Sequence, residues 1–231
     1  MLRNTDLSIK QQEKEYSLSY LSHELHNALT LVSSTVQLLE QNQKPEKHSK
    51  YIQDLKANIQ YMKDLLSDFS FYQNSGQIQL SLINMSFLIQ EIYAFCKPLA
   101  QEHSVTLNLS NSPFALWVQA DALKLKQALI NLIKNSLEAV QSFSGYIHLS
   151  LGLSGKYILI SISDNGKGFS AEKTKFVFQP FMSDKENGTG LGLSFAKKII
   201  EAHQGNIRFF NKPNQGVVFH IFLPQVTKIA T

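Results

Sequence analysis

Residues 157–163 read YILISIS and are followed at once by DNGKG at residues 164–168. The first stretch is apolar and rich in β-branched residues, which is typical of a β-strand. The second is a loop in which two glycines, Gly166 and Gly168, stand close to the carboxylate of Asp164. Glycines let a backbone approach a ligand closely, so this loop is a candidate binding site.

A second glycine cluster, GTGLGL at residues 188–193, comes directly before an apolar stretch that predicts a helix from Gly192 to His203. Glycines that lead into a helix N-terminus expose backbone N–H groups to an anion, and the helix dipole adds a favourable field. Together the two clusters suggest a phosphate-binding site. Either cluster alone is equally compatible with an ordinary turn.

The long helix predicted from Ala122 to Phe143 carries the third element, NLIKNSLEAV at residues 131–140. Asn131 and Asn135 are four residues apart and share a helix face. An amide oxygen there suits Mg²⁺, whose remaining ligands would be water and phosphate oxygens.

In this combination the elements resemble the nucleotide-binding domain shared by sensor histidine kinases, type II topoisomerases, Hsp90 and MutL. The Asn pair resembles the N box, DNGKG the G1 box, VFQPF at 177–181 the F box, and GTGLGL the G2 box. The resemblance covers about residues 83–224 and implies a GHKL (Bergerat) α/β sandwich that binds ATP with Mg²⁺. The chain has no GxxxxGK[ST] sequence, and GTGLGL follows a loop, so neither a Walker loop nor a Rossmann fingerprint is present.

The resemblance also implies a role for individual residues. Asp164 would accept a hydrogen bond from the adenine amino group, and Asn135 would hold Mg²⁺ with Asn131 close by. Gly166 and Gly168 would leave room for the base and sugar. The implied ATP-binding set is Asn131, Asn135, Asp164, Gly166, Gly168, Lys185, Gly188, Thr189, Gly190, Leu191 and Gly192.

Residues 170–187 resemble the short ATP lid of nitrogen-regulation and sporulation-type kinases. Lys185 in this lid is expected to reach the polyphosphate as a mobile charge. A solvated lid lysine is the equally weighted alternative, because lid loops are polar in any case. Phe178 and Phe181 are expected to anchor the lid by packing.

The first 77 residues predict two helices. Residues 16–40 contain no Gly or Pro, and a polar stretch at 41–48 precedes a second helical pattern. Their apolar stripes are Leu18, Leu21, Leu25, Ala28, Val32, Thr35 and Leu39, then Ile52, Leu55, Ile59, Met62, Leu66 and Phe69. Such a hairpin covers its stripes only in part, so a second copy is expected to complete a dimeric four-helix bundle. We predict a lead-in at 1–15, the hairpin at 16–77 and the catalytic domain at 78–231.

The segment SHELHNALT at residues 22–30 resembles the H box of histidine kinases. The resemblance implies that His23 is the phosphoacceptor, and the heptad pattern places His23 opposite the apolar seam, in solvent. Glu24 can take or orient the proton on the other ring nitrogen. Glu24 and Asn27 match the E-x-x-[TN] pattern that accompanies phosphatase activity in this family; the alternative is that Asn27 is an ordinary exposed residue.

Two departures from the H box have consequences. Ala28 replaces the usual Pro, so we expect a weaker helix kink or none. His26 replaces the usual Arg or Lys, which adds a second imidazole and leaves His26 as an alternative acceptor.

Composition excludes several other classes of protein. A single Cys96 rules out an internal disulfide and favours the cytoplasm. No apolar stretch approaches the roughly 18 residues of a membrane span, so the chain is expected to be soluble. The 22 basic and 18 acidic residues are scattered without a basic block, which argues against nucleic-acid binding. No sensor segment is recognised before the H box, so the input signal stays open: a sensory partner in trans is one possibility, and an upstream sensory portion is the other.

These observations predict a homodimeric cytoplasmic histidine kinase that autophosphorylates His23 from Mg·ATP and then phosphorylates a response-regulator receiver domain. ATP-hydrolysing relatives place a Glu where Asn131 stands, which argues against hydrolysis as the main reaction. The alternative is a histidine phosphotransferase or regulator-binding scaffold with little kinase activity. The balance of kinase and phosphatase activity stays open, as does phosphorylation within or between subunits.

Overall fold

The structure is a computed structural model that describes residues 2–41, 45–74, 77–140, 144–183, 188–212 and 214–226. It divides into two compact units. The first comprises Met1–Phe71 with Ser183–Thr189, and the second comprises Tyr72–Met182 with Gly190–Thr231. No helix in the described parts of the chain is both long and apolar enough to cross a membrane.

The first unit contains two long helices, α1 (Leu2–Gln41) and α2 (Pro45–Gln73), the second of which ends beyond the unit. Helix α1 starts at Leu2 instead of residue 16, because no Gly or Pro interrupts residues 2–40. Helix α2 starts at Pro45, a residue favoured in the first turn because its missing N–H would have no partner there. The connection is therefore shorter than the predicted loop at 41–48.

The predicted stripe on α1 largely agrees with the structure, since Leu21 and Ala28 are buried. The predicted apolar stripe on α2 differs in part from the face that is buried in the structure. Leu65 is fully buried, whereas its neighbour Leu66 is 48% exposed, so the buried face of α2 is displaced by one residue here. The apolar surface of α2 is wider than a single partner helix covers.

The second unit is an α/β sandwich. Its elements are β1 (Ser81–Asn84), α3 (Met85–Glu102), β2 (Thr106–Ser110), β3 (Trp117–Ala120), α4 (Ala122–Ala139), β4 (Tyr146–Ser154), β5 (Tyr157–Asp164), α5 (Ala171–Thr174), α6 (Gly192–Ala202), β6 (Asn206–Lys212) and β7 (Gly216–Pro224). The main sheet has the order β2-β4-β5-β7-β6, with β2 and β4 parallel and every other neighbouring pair antiparallel.

Burial alternates strictly along β5, and its buried side chains Ile158, Ile160 and Ile162 face the helix layer. Helices α3, α4 and α6 supply that layer, with α4 packed against both α3 and α6. Each fully buried aliphatic side chain contributes about 1.5–3 kcal/mol relative to an exposed one. The sheet and the three helices therefore form a rigid platform for the loops at their edge.

Strands β1 and β3 form a separate antiparallel pair that the sequence did not predict. At four residues each, they are too short for periodicity to distinguish them from loop. Helix α4 ends at Ala139, four residues before the predicted end at Phe143, and residues 141–143 lie outside the described part of the chain.

The boundary between the units follows Phe71, whereas the sequence predicted a domain boundary near residue 78. The end of α2 is held within the second unit, because Lys124 Nζ donates to the carbonyl oxygens of Asn74 and Gln77.

Candidate functional site

Asp164 ends β5 and is 4% exposed. Its Oδ2 accepts from the Ser136 hydroxyl at 2.8 Å, and its Oδ1 accepts from the backbone N–H groups of Gly166 at 2.9 Å and Val217 at 3.3 Å. A carboxylate offers roughly four acceptor positions, so one more donor can bind here. Asp164 is a fixed acceptor with the chemistry that an adenine amino group requires.

Ser136 was missed by the sequence analysis, although it directly follows Asn135. It is 2% exposed on the buried face of α4, where the neighbouring residues of the stripe are aliphatic. A polar residue at an apolar position of a periodic helix is the signal that would have identified it, since a buried hydroxyl needs a partner.

The glycines of the DNGKG loop pack against their own chain. A Cβ on Gly166 would lie 2.7 Å from the carbonyl oxygen of Ala139 at the end of α4. Gly168 has a φ of +67°, and its Cβ would lie 2.8 Å from Oδ1 of Asn211. Both positions therefore require glycine for the loop to close on α4 and β6. Their predicted role in making room for base and sugar stays a prediction.

The two asparagines of α4 lie beside the start of α6. Asn135 Nδ2 donates to the backbone carbonyl of Asn131 at 3.0 Å. A Cβ on Gly192 would lie 3.4 Å from Asn135 Nδ2 and 4.0 Å from Asn131 Nδ2, which is ordinary contact distance, so both amides lie directly beside this residue. The structure thus brings two amide side chains to the positive end of a helix, where phosphate is favoured.

This set of groups fits a nucleotide phosphate with Mg²⁺. Within the described residues, no three His, Cys, Asp or Glu side chains are grouped closely enough to hold a metal ion by themselves. Mg²⁺ is typically held by one or two protein oxygens together with phosphates and water. The amide oxygen of Asn135 is suited to that arrangement.

The turn before α6 is held by local contacts. Gly190 has a φ of +65°, and a Cβ there would lie 2.5 Å from the carbonyl carbon of Phe181. The Phe181 N–H donates to the Gly190 carbonyl at 3.0 Å, and Leu191 is fully buried. Phe181 is buried and Phe178 packs edge-to-face on Phe209, in agreement with the predicted packing role of the two phenylalanines.

Two of the predicted residues lie in the other compact unit. Gly188 and Thr189 belong to the first compact unit, where the Thr189 hydroxyl donates to Asp68 at 2.7 Å. Lys185 lies outside the described residues.

A second group of polar side chains lies on α1. The His23 side chain is 73% exposed, in agreement with the heptad prediction, whereas that of Glu24 is only 23% exposed. His23 Nδ1 is 3.5 Å from Glu24 Oε1 and 3.2 Å from Asn27 Nδ2. Nδ1 therefore faces an amide nitrogen of Asn27, which can only donate, and an oxygen of Glu24, which can only accept, so the two contacts belong to different tautomers of the ring. Nε2 is the ring nitrogen left to react with an incoming group.

Helix α2 contributes a residue that the sequence analysis missed. The Tyr61 hydroxyl donates to Glu24 Oε2 at 3.2 Å, across 37 residues of chain. Burial, and then the negative charge of Glu24, raise the pKa of Tyr61 to about 12. Tyr61 is therefore a hydrogen-bond donor throughout the physiological pH range. The two Glu24 oxygens serve Tyr61 and His23, which favours His23 over His26 as the residue assisted by this carboxylate.

Two known families match the parts of the chain that contain these two groups of residues. Residues 120–227 match the family described as histidine kinase-, DNA gyrase B-, and HSP90-like ATPase. Residues 13–78 match the His Kinase A (phospho-acceptor) domain. The fold and its polar sites thus define an ATPase-type nucleotide-binding domain preceded by a phosphoacceptor helical domain.

Individual proteins similar to this chain include a sporulation kinase and a signal transduction histidine-protein kinase. The chain is 34% identical over 206 residues to sporulation kinase B of Bacillus subtilis (strain 168), covering 88% of this chain and 48% of that protein. It is 30% identical over 231 residues to the signal transduction histidine-protein kinase AtoS of Escherichia coli (strain K12), covering 96% of this chain and 37% of AtoS. The chain therefore spans about half or less of the length of these relatives.

Solved structures of histidine kinases also resemble this chain. The catalytic domain of the histidine kinase ThkA superposes with a TM-score of 0.58 and 32% identity, over 64% of this chain and 96% of that domain. ThkA in complex with the response regulator protein TrrA superposes with a TM-score of 0.77 over 99% of this chain and 65% of ThkA, at 24% identity. The chain belongs to the sensor histidine kinase family, of which it contains the transmitter region.

Proposed function

We propose that this chain transfers the γ-phosphoryl group of ATP to Nε2 of His23 and then to an aspartate of a response regulator. The observation that carries the proposal is the arrangement at His23. This imidazole is 73% exposed, while its Nδ1 faces Glu24 and Asn27. An exposed nucleophile whose second nitrogen is held by polar partners is suited to attack a phosphoryl group.

The reaction requires the neutral imidazole with its proton on Nδ1, directed at Glu24. The Asn27 amide nitrogen can only donate, so it does not bond to Nδ1 in this reactive tautomer. The Nε2 lone pair forms a bond to the γ-phosphorus while the bond from that phosphorus to the β–γ bridging oxygen breaks, and ADP leaves with the electron pair. The ring would become cationic, and Glu24 accepts the Nδ1 proton from it. Mg²⁺ supplies charge neutralisation on the phosphates.

In the nucleotide-binding domain, the Asp164 carboxylate accepts a hydrogen bond from the adenine amino group, and the backbone N–H groups at the N-terminus of α6 bind phosphate oxygens. Asn135 holds Mg²⁺, with Asn131 beside it. These assignments are supported by the burial and fixed bonding of Asp164 and by the position of the two amides beside Gly192 at the start of α6.

The response regulator is the partner expected to receive the phosphoryl group. Support comes from ThkA, a relative of similar fold that has been solved in complex with a response regulator. A bond from phosphorus to an imidazole nitrogen is labile, which makes His23 a suitable donor to an aspartate.

Dephosphorylation of the regulator by the same helix is a second candidate function. It is favoured by Asn27, whose amide lies 3.2 Å from His23 Nδ1 on the exposed face of α1 and can position a water molecule. The scaffold alternative is disfavoured, since Gly190 keeps a positive φ and a close backbone approach that another residue would strain.

Incubation with γ-labelled ATP and Mg²⁺ tests the main proposal. We expect an alkali-stable, acid-labile label on the wild-type chain, no label on His23→Gln, and a label on His26→Gln as the matched control. Chelation of Mg²⁺ is expected to abolish labelling. A label that survives in His23→Gln, or a wild-type chain that takes up none, would contradict the proposal.

A further inference from the structure

The side chain of Glu24 is turned toward His23, which is unusual for two neighbouring residues of an α-helix. Adjacent residues on an α-helix point about 100° apart and do not normally face each other. The carboxylate of Glu24 nevertheless lies 3.5 Å from Nδ1 of His23. A flexible side chain such as that of Glu loses conformational freedom when it is held in one such orientation. Something outside α1 has to favour this orientation over the others.

Tyr61 of α2 meets that requirement. Its hydroxyl donates to Oε2 of Glu24 at 3.2 Å, while Oε1 is the oxygen turned toward His23. The two carboxylate oxygens are thus divided between the two partners. Because the phenol is part of a rigid ring on the opposite helix, it fixes the carboxylate from the side away from the imidazole.

We propose that Tyr61 is a positioning residue for phosphorylation of His23. Its hydroxyl holds Glu24 so that the proton on Nδ1 has a fixed acceptor while Nε2 attacks. The inference rests on the proposed kinase function, because it assigns Tyr61 a task in that same reaction. Tyr61 acts through Glu24 and does not touch the reacting atoms.

The protonation state of Tyr61 suits this task. Burial, with a further contribution from Glu24, raises the pKa of Tyr61 to about 12, so the phenol keeps its proton at every pH at which the kinase would work. A phenolate would repel the carboxylate. The neutral phenol offers one donor to a group that can only accept.

The decisive experiment is a double-mutant cycle on Tyr61→Phe and Glu24→Gln in the full chain. Phenylalanine keeps the ring and removes the hydroxyl; glutamine keeps the shape and cannot take the Nδ1 proton. We expect Tyr61→Phe to lower kcat for phosphohistidine formation about tenfold with an unchanged KM for ATP, because only the alignment of the proton acceptor is lost. In the Glu24→Gln background the same change should have no further effect.

Tyr51→Phe is the matched control, since Tyr51 is a half-buried tyrosine of the same helix. It should leave kcat unchanged. Equal losses from Tyr61→Phe in both Glu24 backgrounds, or an equal loss from Tyr51→Phe, would mean a general structural role and would overturn the proposal. So would an unchanged rate in Tyr61→Phe.

A measurement without ATP separates this inference from the proposed function. The ¹⁵N chemical shifts of the His23 ring report which nitrogen carries the proton. In Tyr61→Phe we expect the balance to move away from the Nδ1–H tautomer, while Tyr51→Phe matches wild type. If wild type shows no phosphorylation, the kinase proposal fails, and an unchanged tautomer balance in Tyr61→Phe would overturn the present inference by itself.

Discussion

Ser136 and Asp164 form a buried pair between α4 and the end of β5, with the hydroxyl 2.8 Å from the carboxylate. A buried charge must be hydrogen-bonded, because the loss of one partner leaves an acceptor without solvation. The pair therefore links the helix that carries Asn135 to the residue assigned to adenine.

We predict that Ser136→Ala lowers the free energy of unfolding by about 1–3 kcal/mol, the cost of leaving a buried acceptor without its partner. Urea denaturation followed by circular dichroism measures this change. ATP affinity, measured by titration calorimetry, should fall as well, because the carboxylate loses a group that fixes it.

Ser161→Ala is the control for this prediction, since Ser161 is a half-buried serine on the same strand as Asp164. It should change stability and ATP affinity by much less. Equal behaviour of Ser136→Ala and Ser161→Ala would contradict the role assigned to Ser136.

Helix α4 begins with Asp121 as its N-cap, and this residue bonds to the first turn of the helix and to two other parts of the unit. Asp121 Oδ1 accepts from the N–H of Lys124 at 3.1 Å, and Oδ2 accepts from the N–H of Gln79 at 3.0 Å. The Asp121 N–H donates to Nε2 of His203, whose Nδ1 then carries the proton and donates to the carbonyl of Ile199 at 2.7 Å.

The cap has a defined pH dependence. Burial acts to raise the pKa of Asp121, but the hydrogen bonds from Gln79 and Lys124 and the nearby positive charge outweigh it, so the pKa lies below its ordinary value of 3.8. A carboxyl whose pKa is lowered by folding stabilises the native state above its unfolded pKa. That contribution is lost as the pH falls through the folded value.

Asp121→Ala is therefore expected to lower the free energy of unfolding by about 1 kcal/mol at pH 7. The difference from wild type should shrink as the pH falls below 3.8, because the wild-type carboxyl then becomes protonated. Chemical denaturation at a series of pH values measures both effects. Asp121→Asn keeps a capping oxygen and should lose less; a pH-independent difference for Asp121→Ala would contradict this account.

Helix α1 runs without interruption from Leu2 to Gln41, as the absence of Pro at position 28 led us to expect. Ala28 is 3% exposed and packs within the hairpin. The continuity matters for the H box, because His23 and Asn27 meet only if the helix is regular between them.

The described part of the hairpin leaves apolar surface exposed on both helices. On α2, Ile52, Ile59 and Leu66 recur every seven residues and are 46%, 39% and 48% exposed. On α1, Leu31 and Leu38 repeat the same spacing at 56% and 44% exposure. Apolar side chains at heptad spacing are typical of a seam between helices, which supports the proposed homodimer.

Ile59→Lys is expected to weaken self-association by about 2 kcal/mol for each copy, on the order of a thousandfold in the dissociation constant. Sedimentation equilibrium of the full chain measures this constant. Gln53→Lys adds the same charge at an exposed polar position of α2 and should leave the constant nearly unchanged. A chain that is monomeric before any substitution would contradict the dimer proposal.

The sequence by itself determined the two helices of the hairpin, the strand β5, the helices α4 and α6, the glycine loops and the H box. Helical stepping, strand-like composition and glycine positions are local properties, and each follows from backbone geometry within a few residues. The combination of Asn131, Asn135, DNGKG, GTGLGL and the H box was therefore sufficient to indicate the family.

Only the tertiary structure decided which side chains meet across elements. The contacts of Tyr61 with Glu24 and of Ser136 with Asp164, and the burial of Leu65 instead of Leu66, depend on how each helix is rotated against its neighbour. The pairing of β1 with β3 depends on register between segments separated by a whole helix. No local pattern specifies such rotations and registers, because they are set by the packing of the entire unit.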